Sequence, residues 1–374
     1  MGSNEIRMIA VGDIILGRDC DYLFDHAREL LKAADLTVGQ LENPYTDRDE
    51  NAVALGRSPS SMQPLIHAGF DVLTLAGNHL ADSGNAGIED TIRWLDEHGI
   101  AHVGAGMNLE EARRPLIVER KGTRFGFLNY NCVGPKETYA GYSKPGNAYV
   151  DVITHYELDH ANPGGQPKIY TSPEFRSFQR MKEDIAALRP NCDVLIVALH
   201  KGVVHTPAEV KEYERQIAYA AIDGGADLIL SHHAHILRGI EVYRGKAIFH
   251  GLCNGFVFLP VKAFSTGPMP EDWARRRKAM FGFEPDPEYV TYPFHPEAKY
   301  TIFADVTFRD GKVEQVGFIP CWVNKTGQPE LVGRSDKGEE VMAYMRKITD
   351  IAGLNGRYEW EGDRIIVQID ETDD

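Results

Sequence analysis

The chain has 374 residues, of which 43% are hydrophobic and 25% are charged, a composition typical of soluble globular proteins. Its formal net charge of −15 disfavours binding to the phosphate backbone of nucleic acids. No apolar stretch reaches the roughly 20 residues of a membrane-spanning helix, and the first residues carry no basic, apolar signal. We therefore expect a cytoplasmic protein with no membrane or nucleic-acid partner.

Short apolar runs alternate with helical patterns, which is typical of an α/β sheet protein. Strands are predicted at residues 6–11, 36–40, 72–76, 124–129, 194–199, 227–230, 240–243 and 246–250. Helices are predicted between them at residues 22–33, 87–98, 173–188 and 207–223. Later in the chain, residues 301–308 and 312–319 alternate in polarity around Asp310-Gly311, which predicts a hairpin.

Two long irregular segments interrupt this alternation. Residues 130–170 are rich in Gly, Pro, Asn and Tyr, and residues 259–299 contain seven prolines and many aromatic residues. Insertions of this length are usually functional loops, so we expect substrate lids on a catalytic domain of residues 1–330; surface elaboration without a function is the alternative. Residues 331–374 are predicted to form a small C-terminal extension of one helix and a hairpin.

Side chains that bind metals follow five of the predicted strands. In chain order they are Asp13, Glu42, Asn78 with His79, His200, and the group His232, His233 and His235. Each residue alone is more often a turn former or a core histidine, but loops at the strand ends of an α/β sheet gather ligands. Two carboxylates, an amide oxygen and several imidazoles, without a thiolate, suit a pair of divalent ions such as Mn²⁺, Fe²⁺ or Zn²⁺.

The order GD, carboxylate, GNH, H and H-x-H resembles that of the calcineurin-like metallophosphatase superfamily. The segments "VGDIILGR", "LEN", "AGNHLADSG" and "GADLILSHHAHILRGIEVYRGKAIFHGL" resemble the CapA family, which is named for poly-γ-glutamate capsule synthesis. The resemblance runs from about residue 6 to residue 258. It implies an α/β fold with four layers, an αββα sandwich of two packed mixed sheets flanked by helices, with the irregular lids as insertions.

The resemblance also implies roles for individual residues. One ion would be held by Asp13, Glu42 and His235, and a second by Glu42, Asn78, His200 and His233. His79 would stand beside the ions as a proton donor. Since His233 and His235 are two residues apart, we expect both to project to the same side of an extended segment, with His232 facing away.

Several positions depart from the family pattern. Ile15 stands where metallophosphatases often carry a histidine ligand, so we expect the first metal site to be weak or empty. "HKGVVHTP" replaces the usual Trp-Gly and Glu after the fourth motif, and "GLCNGF" replaces S-L-G-N-F. Candidate substrate-binding residues are Arg18, Lys201, His205 and Asn254, with a structural ion pair as the alternative for Arg18. The basic run at residues 275–278 is expected to be a solvated helix face, with attraction of an acidic substrate as the alternative.

Three functions fit these features. The first is a metal-dependent hydrolase of a phosphoester, or of an amide in a γ-glutamyl compound or peptide. The second is a metal-independent peptide α-carbon epimerase, as associated with some CapA-like proteins, using Asp13 and His295 as an acid/base pair; packing of His295 against Tyr292 and Phe294 is the alternative. The third is a non-catalytic protein that binds an anionic ligand. Each implies an anionic small molecule or peptide as the partner.

Overall fold

A computed structural model of the chain describes residues 5–157, 167–260 and 270–369, with residues 270–273 described by their backbone alone. In these ranges the strands are β1 (Glu5–Ile15), β2 (Leu36–Leu41), β3 (Val72–Thr74), β4 (Ala101–Val103), β5 (Ala105–Gly106), β6 (Leu116–Arg120), β7 (Thr123–Asn131), β8 (Gly146–Asn147), β9 (Val152–Glu157), β10 (Lys168–Pro173), β11 (Val194–His200), β12 (Leu228–His232), β13 (Ile240–Tyr243), β14 (Lys246–Phe249), β15 (Asn254–Val257), β16 (Tyr300–Arg309), β17 (Lys312–Val323), β18 (Pro329–Leu331), β19 (Arg357–Glu361) and β20 (Arg364–Gln368). The helices are α1 (Arg28–Ala33), α2 (Glu50–Ala54), α3 (Gln63–Ala68), α4 (Gly84–Glu97), α5 (Leu109–Ala112), α6 (Phe175–Leu188), α7 (Glu212–Asp223), α8 (Pro270–Phe281) and α9 (Asp336–Ile351).

The larger sheet has the strand order β19-β20-β17-β16-β1-β2-β3-β4, with β15 also paired to β1 and β18 to β17. β1 is parallel to β2 and β15 and antiparallel to β16. The carboxyl ends of β1 and β2 therefore lie at the same edge. The C-terminal hairpin joins this sheet because β20 pairs with β17, and the division of the chain at residue 330 stays a prediction.

The second sheet has the order β13-β14-β12-β11-β7-β6. Its central strands β7, β11, β12 and β14 run parallel, so β11 and β12 also end at one edge. Two short antiparallel pairs, β5 with β8 and β9 with β10, lie outside both sheets. Both belong in part to the first insertion.

The two sheets pack face to face, and helices cover their outer faces. In β1, Met8 and Ala10 belong to the core between the sheets, whereas Ile9 and Val11 pack with the helices outside, as strand alternation requires. Phe125 of the second sheet meets Phe308 of the first edge to face, with ring centroids 5.0 Å apart. On the other outer face, α6 and α7 pack against the second sheet. The predicted αββα sandwich is confirmed.

Several predicted boundaries were wrong. The helix expected at residues 22–33 is a 3₁₀ turn at Asp21–Phe24 followed by α1, and Arg28 bonds the backbone carbonyl of Asp21 across the break at 2.9 Å. α7 begins at Glu212 rather than at residue 207, because the Glu214 carboxylate accepts the N–H of Lys211 and ends the preceding loop there.

The insertions are only partly described. Residues 158–166 of the first and 261–269 of the second lie outside the described residues. The expected role of both insertions as lids stays a prediction. Among the helices in the described ranges, the longest is α9 with 16 residues, and none combines the length and apolar character needed to cross a bilayer.

Candidate metal centre

The edge where β1, β2, β11 and β12 end carries the candidate site. Asp13 was expected after the first strand but lies within β1, where the register with β2 and β15 shifts. Its N–H donates to the carbonyl of Cys253 at 3.1 Å. Glu42 follows β2 directly, and His200 is the last residue of β11. The topology thus brings residues from both sheets to one place.

Asp13, Glu42 and His235 form a compact buried group. One ligand atom from each lies within 4.8 Å of the other two. His235 Nε2 is 3.1 Å from Glu42 Oε1, and its Nδ1 is 3.6 Å from Asp13 Oδ2. Both carboxylates are fully buried. These are the three residues that the resemblance assigned to the first ion.

The chemistry of this group fits a cation. Asp13 Oδ1 and both oxygens of Glu42 are buried and accept no hydrogen bond from the described residues; the close His235 Nε2 is an ionic contact without hydrogen-bond geometry. Burying a carboxylate without partners is costly. Carboxylate oxygens and imidazole nitrogens are ligands that suit Mn²⁺, Fe²⁺ or Zn²⁺. The number and identity of the ions stay predictions.

Asn78, His200 and His233 form an adjacent group. Asn78 Oδ1 is 2.7 Å from His200 Nε2 and 3.2 Å from His233 Nδ1. The two imidazole rings are 4.9 Å apart. The backbone N–H of His233 donates to Asp13 Oδ2 at 3.0 Å, which ties this group to the carboxylates. These three residues, with Glu42, are the predicted holders of the second ion.

The backbone at the histidine cluster differs from the expectation. His233 and His235 do not alternate along an extended strand, since both have positive φ, 93° and 52°. Their rings are 6.4 Å apart. Left-handed backbone is rare outside glycine and is found at sites where the surroundings enforce it. The conformation of the loop after β12, rather than strand periodicity, therefore directs the side chains of His233 and His235 towards the site.

Charges in the site influence one another strongly. Burial, and next the charge of Glu42, raise the pKa of Asp13 above its usual range. Burial alone would raise the pKa of Glu42, but the adjacent His235 lowers it. Burial lowers the pKa of His200 well below its usual value, and burial with His235 lowers that of His233 to about 3. Neutral imidazoles with available lone pairs are the form that binds metals.

The two other histidines near the motifs have different surroundings. His79 Nδ1 is 2.8 Å from Asp82 Oδ2, and its side chain is 42% exposed. Burial alone would lower the pKa of His79, but Asp82 and Glu42 raise it, which favours a protonated ring. His232 is buried, with Nε2 3.2 Å from the carbonyl of Val11, in the packing position expected from the sequence.

One of the predicted substrate-binding residues, Lys201, is placed differently from the expectation. Lys201 is fully buried, and its Nζ lies 2.9 Å from Glu214 Oε2 and 2.9 Å from His250 Nδ1. Its ammonium group is thus taken up by an internal network and not presented to substrate. Arg18 is exposed beyond the end of β1.

The remaining candidates, Asn254 and His205, do lie at the site. Asn254 Oδ1 is 2.8 Å from His235 Nδ1, and its amide donates to the hydroxyl of Tyr292 at 2.8 Å. His205 has its ring 5.8 Å from that of His235. The sequence did not show that Tyr292 accepts a hydrogen bond from Asn254, because the two residues are 38 positions apart and only the fold brings them together.

The structure does not bring His295 to Asp13 through any contact of the described residues. His295 Nδ1 accepts the N–H of Glu297 at 3.1 Å, and its ring packs on Phe283 with centroids 4.9 Å apart. It begins a short 3₁₀ helix at Pro296–Lys299. The acid/base pair of the epimerase hypothesis therefore has no geometric support.

Comparison with known proteins identifies a family that matches this chain. Residues 7–258 match the family described as "Bacterial capsule synthesis protein PGA_cap". The chain belongs to this family. The matched range includes every residue of both ligand groups, and the resemblance seen in the motifs is confirmed at the family level.

Two relatives with similar sequences have names that refer to capsule or PGA biosynthesis. The chain is 29% identical over 275 residues to "Capsule biosynthesis protein CapA" of Bacillus anthracis, covering 68% of this chain and 60% of that protein. It is 28% identical over 263 residues to "PGA biosynthesis protein CapA" of Bacillus subtilis, covering 66% of this chain and 62% of that protein. The PGA_cap protein thus spans about three fifths of the length of these relatives.

Solved structures with some similarity include a phosphatase from Mycoplasma pneumoniae, at 17% identity and a TM-score of 0.49, covering 85% of this chain and 94% of that one. Another is a calcineurin-like phosphoesterase from Bacillus subtilis, at 14% identity and a TM-score of 0.38, covering 93% and 98%. The fold assignment rests on the sheet order and layers described above.

Proposed function

We propose that this PGA_cap protein is a metal-dependent hydrolase of a phosphoester, or of an amide in a γ-glutamyl compound or peptide. One observation carries the proposal: two fully buried carboxylates, Asp13 and Glu42, have oxygens without hydrogen-bond partners among the described residues, beside His235. Bound cations would supply the missing partners. The adjacent neutral imidazoles of His200 and His233 provide further ligands.

The proposed roles are those of metal ligands and a proton donor. Asp13, Glu42 and His235 would hold one ion, and Glu42, Asn78, His200 and His233 the other, with Glu42 between them. Divalent ions bound in such a pair lower the pKa of water and stabilise negative charge on the reacting group. His79, whose Nδ1 faces Asp82, would give a proton from Nε2 to the leaving group.

The names of the Bacillus relatives support the choice of substrates to test. They describe capsule and PGA biosynthesis, which favours a γ-glutamyl amide as one candidate. The chemistry of paired ions favours a phosphoester as the other. A binding protein that senses an anion remains the non-catalytic alternative, and the experiment must separate it from an enzyme.

The test joins metal content to turnover. Protein purified without chelator is expected to contain about one to two equivalents of a divalent ion by elemental analysis, and to cleave bis-p-nitrophenyl phosphate or γ-glutamyl-p-nitroanilide faster after Mn²⁺ is added. His200→Ala and His235→Ala should lose metal and activity while keeping the circular dichroism spectrum. His67→Ala is the control, since His67 is exposed and pairs with Asp21.

Two results would count against the proposal. Metal below about half an equivalent, with no gain in activity from Mn²⁺, would remove the hydrolase reading. Metal at full occupancy without turnover of either substrate would favour the non-catalytic alternative.

A further inference from the structure

The second insertion places a guanidinium beside the candidate metal centre. Arg277 lies on α8, and its Nη1 is 2.7 Å from Nε2 of His205. The guanidinium also lies over the ring of Phe281, 5.3 Å from the centroid. These contacts help to hold the guanidinium in place. The sequence predicted a solvated helix face for this basic run, with attraction of an acidic substrate as the alternative; Arg277 is partly buried and departs from the first of these predictions.

His205 connects Arg277 to the metal-ligand loop. Its ring is 5.8 Å from that of His235, and the backbone N–H of His205 donates to the backbone carbonyl of Ala234 at 2.8 Å. Ala234 stands between His233 and His235. His205 is 5% exposed and has a φ of 55°, so the loop after β11 is held in a strained conformation against the loop after β12. One imidazole thus separates Arg277 from the candidate ligands.

Aromatic side chains surround this pair. The ring of His205 is 5.0 Å from Phe281, 5.1 Å from Phe283 and 6.0 Å from Phe294. Phe294 is also 5.0 Å from the ring of His235. Burial lowers the pKa of Arg277, as expected for a guanidinium withdrawn from water. In such surroundings a charge-assisted hydrogen bond is stronger than at an open surface.

We propose that Arg277, positioned by His205, binds an oxyanion of the substrate, a carboxylate or a phosphate, next to the bond that is hydrolysed. This inference rests on the proposed hydrolase function and names a specificity-determining residue for it. The guanidinium fork matches both oxyanions, and a cation separated from Asp13 and Glu42 by the rings of His205 and His235 recognises a group that the two carboxylates repel. His205 accepts from Arg277 and sets the direction of the fork.

The first test measures binding and needs no turnover. Glutarate and inorganic phosphate are titrated calorimetrically into the full chain as purified. The variants are Arg277→Gln, Arg277→Lys and, as the matched control, Arg276→Gln, an exposed arginine on the same helix. At least one probe is expected to bind the wild type, with a Kd raised about tenfold or more in Arg277→Gln. Arg277→Lys should weaken binding less, and Arg276→Gln should not weaken it.

The probe that responds identifies the oxyanion. The proposal is overturned if the wild type binds neither probe, if Arg277→Gln binds both as tightly as the wild type, or if Arg276→Gln weakens binding equally. Circular dichroism and the Tm of each variant check the fold. If Arg277→Gln does not fold, Arg277→Lys decides: a folded Arg277→Lys that binds both probes as tightly as the wild type would overturn the proposal.

The second test is kinetic. γ-Glutamyl-p-nitroanilide is compared with γ-aminobutyryl-p-nitroanilide, which lacks the α-carboxylate. Arg277→Gln is expected to raise KM for the first substrate about tenfold, leaving its kcat and the metal content unchanged, and to leave KM for the second unchanged. Equal effects on both substrates would contradict a carboxylate subsite. Absence of metal and turnover in the wild type would contradict the hydrolase alone, because the binding test is independent of it.

Discussion

Behind the ligand residues, a buried polar network supports the edge of the second sheet. Lys201 directly follows His200 and bonds Glu214 of α7 and His250, both at 2.9 Å. His250 accepts from Lys201 on Nδ1, and its Nε2 is 2.8 Å from Glu241 Oε2. This pattern requires a neutral imidazole with its proton on Nε2. Through these bonds, His250 connects β13 and the ends of β11 and β14 to α7.

His250 should make stability depend on pH. Burial, and next Lys201, lower its pKa from 6.5 to about 4, so the unfolded chain takes up the proton first as the pH falls. The stability from this residue is complete above pH 6.5 and is lost as the pH falls towards 4. Between pH 7 and pH 5 the loss should be about 2 kcal/mol. We expect His250→Gln to flatten the dependence by that amount in urea unfolding at the two pH values.

His155→Gln serves as the control for this measurement, since His155 is an exposed residue of β9. It should keep the pH dependence of the wild type. A dependence that is unchanged in His250→Gln would show that His250 titrates normally in the folded protein.

The single residues that could be predicted from the sequence are those whose type restricts their chemistry. Asp13, Glu42 and His235 were grouped by the resemblance of their motifs to a known family, since each residue alone is more often a turn former or a core histidine. Lys201 and Arg277 were misplaced because their partners are distant. Glu214 and His205 lie 13 and 72 residues away from them, and a local pattern holds no information about such pairs.

At the scale of elements, β1 is the strand on which the site depends. It is parallel to β2 and β15, and its register shifts beside Asp13. Gly12 lies against the backbone of the segment before β15, where an added Cβ would be 2.2 Å from the carbonyl oxygen of Cys253. Only glycine permits this approach, which also allows the N–H of Asp13 to bond the same oxygen.

Gly12→Ala should therefore displace β1 from β15 and move Asp13. We expect a loss of about 1–3 kcal/mol in unfolding free energy and weaker Mn²⁺ binding. Gly317→Ala on β17 is the matched control, because its Cβ would also meet a backbone carbonyl, that of Ile365 at 2.6 Å, in a pair of strands that carries no candidate ligand. Urea unfolding and calorimetric titration with Mn²⁺ measure both effects. Equal losses of Mn²⁺ affinity in the two variants would contradict this account of Gly12.

Elements with a clear hydrophobic period were the ones predicted. All eight strands expected before residue 251 occur, and residues 240–243 match β13 at both ends. The missed elements have weaker signals. β5 and β8 are two residues long, and the helix at α8 is preceded by prolines within an irregular segment. For these, tertiary packing rather than local propensity selects the conformation.

For the whole molecule, the site lies across the junction of the two sheets. Asp13 and Glu42 come from the first sheet, whereas His200, His233 and His235 come from the second. The bond from His233 N–H to Asp13 Oδ2 crosses that junction. The spacing of the ligands is therefore set by the core between the sheets, and no local sequence pattern shows which side chains meet there.

This dependence separates two kinds of core substitution. Phe249 belongs to the core between the sheets. On β14 it is paired with Leu230 of β12, and Leu230 lies two residues before His232. Ile217 is equally buried but packs between α7 and the outer face of the second sheet. Phe249→Ala and Ile217→Ala should each lower the unfolding free energy by about 2–5 kcal/mol. Only Phe249→Ala should also weaken Mn²⁺ binding, by about tenfold, because it lets the sheets shift relative to each other. Calorimetric titration with Mn²⁺, at a temperature where both variants are folded, measures this difference. Equal Mn²⁺ affinities in the two variants would show that the ligand spacing does not depend on the core between the sheets.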